Sequence, residues 1–396
     1  MKAKKLIALL LTVMMIVSAI PALSFSAFAE GEITEPTTPT DTTTYTEVAD
    51  YDALVTALTA KQNVKLTADI TFPATAPEAA IAELWDGAVI NGNDFGFKGV
   101  TLTRGMFTVA DGAHFTIKNL DIDATLTFFD YYDNVDRFGV LGDNIANVSF
   151  NIENVNLNVV ATMANTGGIA GFFGAITPID GTKSYFSDCT VSGTITNTYT
   201  ASNHYWANGF IGGTRASTGE IVFERCVNNA DVKGSRHTSG FTGETYSNVS
   251  LTNCVNNGDI YAYQRYASGF VSYTSGVESV SFTGCVNTGA VRAGANHAAG
   301  ILAFGVDTAV SADSCVNTGE ISTAATNGAS LGFGGIVGGL QMRDTTDSAI
   351  SLSFDGCRNY GAVSMATSDT TYNSYPGVGG IVGYALLNGD TLSFNR

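Results

Sequence analysis

Four ring-bearing residues recur at one position of an internal pattern: Trp206, His237, Tyr266 and His297, each followed three residues later by Gly. The residue before each ring is Tyr205, Arg236, Arg265 or Asn296. Aromatic faces flanked by guanidinium groups suit a sugar chain, because rings stack on pyranose faces and arginine forks hold hydroxyls and carboxylates. On this reading Tyr205, Trp206, Arg236, His237, Arg265, Tyr266 and His297 form a glycan-binding face. Alternation along the chain also gives the rings the parity of Phe210, Phe241, Phe270 and Ile301, so inward packing at a corner of the core stands beside it.

A second group with chemical capacity is Phe128 to Arg137, where Asp130, Asp133 and Asp136 lie among aromatic residues. Three carboxylates can gather a calcium ion, although their spacing is not that of an EF-hand loop; a solvated excursion with Arg137 paired to an Asp is the plainer alternative. Asp121 and Asp123 alternate onto one strand face and could form an acid–base pair of the kind glycoside hydrolysis needs, with no third partner evident. The four histidines show no order that favours a nucleophilic triad. No motif calls for a cofactor.

What must position these residues is a repeated phrase: Cys, Val, Asn, a turn residue, Gly, then Val or Ile. Its cysteines, Cys189, Cys226, Cys254, Cys285, Cys315 and Cys357, are 37, 28, 31, 30 and 42 residues apart. Such a period belongs to stacked repeats rather than to a closed globule. Phe or Leu usually stands three residues before the Cys, Val or Ile six after it, and Gly with a large apolar residue farther on. Three short strands per repeat, with Asn, Gly, Thr and Asp as turn chemistry, predict an all-β parallel β-helix.

Equivalent residues of successive coils should then stack at roughly 4.8 Å. The Asn column (Asn228, Asn256, Asn287, Asn317, Asn359) can pass amide hydrogen bonds along the rod. The cysteines should form a buried thiol ladder, because Cβ atoms at the coil spacing are farther apart than a disulfide allows. Leu120 and Val155 fit the Cys column of earlier coils, and Gly139-Val140 and Gly168-Ile169 fit the Gly-apolar column. Asp50 followed by Leu54 and Leu58 predicts a short helix plugging the open N-terminal end, where a solenoid would otherwise expose its core.

Gly334 to Gly338 and Gly379 to Gly383 read GGIVG, which resembles the GLUG motif of bacterial surface proteins, including adhesins and some surface proteases. The Asn ladder is similar to that of pectin-lyase-like right-handed β-helices. The resemblance runs from about residue 152 onward and implies a right-handed parallel β-helix solenoid with a short N-terminal capping helix; such repeats carry no catalytic residues of their own.

Three lysines, an apolar stretch from Leu6 to Ile20, Pro21 and Ala27-Phe28-Ala29 form a secretory signal peptide over 1–29. Residues 30–46 form a Thr/Pro-rich linker, and 47–396 the β-helix, interrupted in mid-coil because the repeat puts the next Cys one position past Arg396. The chain has 19 Lys+Arg against 36 Asp+Glu, net −17, and loss of the leader lysines takes this to −20. That charge argues against nucleic acid and anionic lipid, and against acidic polysaccharides unless a local basic strip or calcium intervenes. The expected protein is secreted or at the cell surface, touches membrane only through its signal peptide, and is a non-enzymatic rod whose partner is a glycan or a component of a host or neighbouring cell surface. The alternative is a polysaccharide lyase or glycoside hydrolase on the same scaffold.

Overall fold

Short alternating runs closed by Asn, Asp and Gly cannot extend far before the backbone must turn. In the computed structural model of the chain they form a file of mostly two- to eight-residue strands, with one helix between the first strand, Thr46–Val48, and the rest. The structure describes residues 42–396 apart from 76, 78, 129–136, 165, 200–204, 324–329, 344–349, 366–376, 388–390 and 396. The segments expected to be a signal peptide, 1–29, and most of a linker, 30–46, lie outside the described residues.

Each strand pairs in parallel with its counterpart one coil on, so the chain is a parallel β-helix. One register column runs unbroken through Val64, Ile90, Ile117, Ile152, Phe186, Phe223, Leu251, Phe282, Ala312, Phe354 and Phe394. A complete coil has five strands rather than three: Glu220–Glu224, Val227–Asn228, Asp231–Gly234, His237–Ser239 and Thr242–Thr245. The expected Phe-Cys segment divides at the Cys corner, and the ring-bearing segment forms a strand of its own.

The Cys corner has a cause in the backbone. The residue before each column member, Asn119, Asn154, Asp188, Arg225, Asn253, Gly284, Ser314 and Gly356, has φ between +51° and +61°. Gly adopts this left-handed conformation freely, and Asn and Asp tolerate it better than other residues. Leu120 and Val155 do occupy the Cys column, in register with Cys189. All six thiols are free, and five are fully buried. Cys226 Sγ donates to the Phe186 carbonyl at 3.3 Å and Cys254 Sγ to that of Phe223 at 3.5 Å. Burial pushes the Cys189 and Cys254 thiols up, away from the reactive thiolate form.

The Asn column is a continuous ladder. Asn228, Asn256, Asn287 and Asn317 each donate Nδ2 to the next Asn Oδ1 at 2.7 Å and also to the carbonyl two residues on. Both amide hydrogens are thereby used, which is what burying the group requires. Gly240 and Gly269 lie against this ladder; a Cβ on Gly269 would overlap Asn287 Oδ1 and the Gly300 carbonyl. Phe210, Phe241 and Phe270 stack beside it at 4.7 and 4.8 Å, the coil spacing itself.

The N-terminal end is closed by the helix Tyr51–Thr59, whose N-cap Asp50 accepts from Ala53 N at 2.9 Å. Leu54, Ala57 and Leu58 are buried with Val48, Val64 and Leu66 in the main core.

Candidate binding surface

The ring strands form an eight-stranded sheet in which Arg137, Gly168, Trp206, His237, Tyr266 and His297 fall in one column. These rings do not enter the main core. Ala207 and Ala267 do, while Tyr266 belongs to a second cluster with Tyr273, Ala303, Phe304 and Val306. The turn at the repeat Gly breaks the alternation that linked the rings to Phe210. The ring strand and the strand after the Gly instead face each other across a narrow second layer.

That layer is a wedge whose thickness changes along the rod. At one end Arg137 lies over Trp206, its guanidinium 4.2 Å from the ring centroid. Gly168, between them in the register, leaves the room. Arg137 Nη2 donates to Glu244 Oε2 at 2.7 Å, and Tyr246 Oη donates to Glu244 Oε1 at 2.7 Å. His237 follows, stacked on Trp206 and 5.1 Å from Tyr266; then His297 lies 4.1 Å from Phe304 and directly over Gly339. Farther on, Gly332 and Gly334 face Gly338 and Val337 so closely that a Cβ on either Gly would overlap a carbonyl. The GGIVG glycines are thus where the two sheets close on each other.

Trp206, His237, Tyr266 and His297 are 6%, 1%, 7% and 1% exposed. Their faces are spent on one another and on Tyr273 and Phe304, so they are turned from any ligand lying along the rod. Tyr205 opens the ring strand Tyr205–Asn208 in register with Gly167, and Asp130, Asp133 and Asp136 lie outside the described residues. Among the described residues no cluster of three metal-ligating groups occurs. Burial lowers both imidazoles to about 3, so they are neutral. Burial pushes the Glu244 carboxyl up, but the Arg137 guanidinium and the hydrogen bonds from Arg137 and Tyr246 hold it below the ordinary range.

Asp121 and Asp123 do share an outward face, but in a polar ladder. Asn156 donates to Asp121 at 2.9 Å, and Asp123 pairs with Lys98 at 3.0 Å. Gly168-Ile169 is displaced from its expected column: Gly168 pairs with Trp206, and Gly171-Phe172 stands beside Gly209-Phe210. Val140-Leu141 likewise takes the place expected of Gly139-Val140. Elsewhere, a cleft of about 630 Å³ lies over the earlier coils, with Arg104, Phe107, Asp111 and Asp143 in its lining.

Outward-facing groups collect at the corner leading into the ring strands. Arg236 and Arg265 are half-buried there, on adjacent coils, tied by the Tyr266 N to Arg236 carbonyl hydrogen bond of 2.7 Å. Beside them Lys233, Tyr261 and Arg292 form a register column. The Arg292 guanidinium lies 5.6 Å from the Tyr261 centroid, and Tyr263 meets Tyr261 edge-on at 4.8 Å. The ring column drew attention in the sequence and these neighbours did not. Yet Lys233, Tyr261 and Arg292 each follow the repeat Val or Ile by one residue, which period two turns outward.

No protein-family model matches the chain, and no curated protein matches it by sequence. A solved structure from Bacteroides ovatus, provisionally described as an immunoglobulin A1 protease, aligns over 86% of this chain and 84% of its own, at 14% identity and a TM-score of 0.35.

Proposed function

We propose that this chain is an exported, non-enzymatic β-helical protein of the cell surface or extracellular space that presents a glycan-binding face for adhesion. The observation that carries the reading is the corner of Arg236, Tyr261, Tyr263, Arg265 and Arg292, where two part-exposed tyrosine rings of one coil stand among guanidinium groups of that coil and of the coils on either side. The leader-like N-terminus and the likeness of the GGIVG segments to GLUG surface proteins support it. Of the residues first marked for binding, Arg236 and Arg265 keep that role; Trp206, His237, Tyr266 and His297 act as packing beneath them. A carbohydrate array probed with the mature chain and with Tyr261→Ala and Arg265→Ala tests this. Carbohydrate binding that both changes abolish, with thermal midpoints unmoved, is the expected result. Absence of carbohydrate binding, or binding indifferent to both, overturns it.

A further inference from the structure

We infer that this corner takes a linear acidic polysaccharide, one whose carboxylates or sulfates recur along its length. The inference rests on the glycan-binding reading above and fixes the charge of the ligand. The chain as a whole is strongly acidic, with a net charge of −17, and yet four of its 19 Lys+Arg, namely Lys233, Arg236, Arg265 and Arg292, fall at one corner of three successive coils. Among the described residues no ion pair engages Lys233, Arg265 or Arg292. The neighbouring acids are turned to another use: Asp231 Oδ1 accepts from Asp259 N at 3.1 Å and Asp259 Oδ1 from Ala290 N at 2.9 Å, each holding a backbone amide of the next coil.

The spacing suits a polymer. Side chains in register repeat at roughly 4.8 Å along the rod, so two coils approach the length of a disaccharide unit. Arginine forks hold carboxylate or sulfate in bidentate geometry, and the Tyr261 ring, backed by Tyr263, supplies a face for the sugar between charges. The strip is one corner wide. A duplex or a lipid surface would spread onto flanking carboxylates such as the exposed Asp231 and Asp259, two residues before Lys233 and Tyr261, and be repelled, whereas a single-file saccharide can follow the basic column.

Fluorescence anisotropy with labelled heparin and polygalacturonate oligomers, a neutral dextran oligomer, oligo(dT) and phosphatidylserine vesicles tests the inference. The proteins compared are the mature chain, Arg236→Ala, Arg265→Ala, Arg292→Ala and, as a distant control, Lys61→Ala. Acidic oligomers should bind, with affinity falling about tenfold for each corner arginine removed and weakening as salt screens the contact; Lys61→Ala should bind as the parent does. Equal, salt-insensitive binding of dextran overturns the charge assignment and leaves the glycan reading intact. Failure of every saccharide overturns both. Binding of oligo(dT) or vesicles as tight as that of the acidic oligomers, or acidic-oligomer binding untouched by the arginine changes, overturns the inference in favour of a general polyanion surface or a site elsewhere.

Discussion

At the scale of single residues, the fold depends on groups that have no choice of neighbour. Asn287 sits in mid-ladder, accepting from Asn256 and donating to Asn317 and the Gly289 carbonyl, all within 2.7 to 2.9 Å. Asn287→Ala strands a buried donor on Asn256 and a buried acceptor on Asn317, at a cost of about 1–3 kcal/mol for each group left unpaired. Asn359, at a part-buried position later in the ladder, should cost less on the same change. Urea unfolding of the two variants measures the difference, and equal losses would contradict a cooperative ladder. This column was legible from sequence because identical residues recurred at identical offsets. The left-handed column before each Cys was not, because Asn, Asp, Arg, Ser and Gly fill it and share a backbone conformation rather than a side chain.

At the scale of elements, the second layer shows where pattern reading stops. Alternation locates a side chain only while a strand continues; the Gly turn between ring strand and following strand resets it, and the rings end up buried on the far face of their own sheet. Arg137 ties this layer together across residues far apart in sequence, reaching Trp206 and Glu244. It is 2% exposed, and removing one member of so buried a pair leaves the other uncompensated. Arg137→Ala should therefore lower stability by about 3–5 kcal/mol, whereas Arg137→Met combined with Glu244→Met should cost less, since no buried charge remains. Chemical denaturation of the single and double variants checks this; a double variant at least as damaged as Arg137→Ala would show the ion pair to be incidental. Nothing in the sequence links Arg137 to Glu244, since the repeat says which residues stack but not which cross the wedge.

At the scale of the whole molecule, the buried histidines make stability depend on pH. His237 and His297 take up a proton in the fold only near pH 3, against an ordinary value of 6.5. Between these values the unfolded chain binds more protons, so stabilisation present in full above pH 6.5 is lost as the pH falls toward 3. The loss is on the order of several kcal/mol, and Glu244, held below its usual range, adds to it as the pH drops past the ordinary carboxylate value. Thermal midpoints from pH 7.5 to 4 should fall steadily in the parent chain and less steeply in His297→Phe. A flat profile in both would mean that these imidazoles are not shielded as described.

The graded wedge also means that the coils are not interchangeable parts. A unit whose inner faces are bare glycine fits only beside others pinched to the same gap, and one filled with rings needs neighbours splayed to match. Transplanting the 332–339 segment between the coils of Tyr266 and His297 would leave a hollow on one side and a collision on the other. Evolutionary lengthening of such a rod by copying one coil is therefore easiest where adjacent windings already have the same girth.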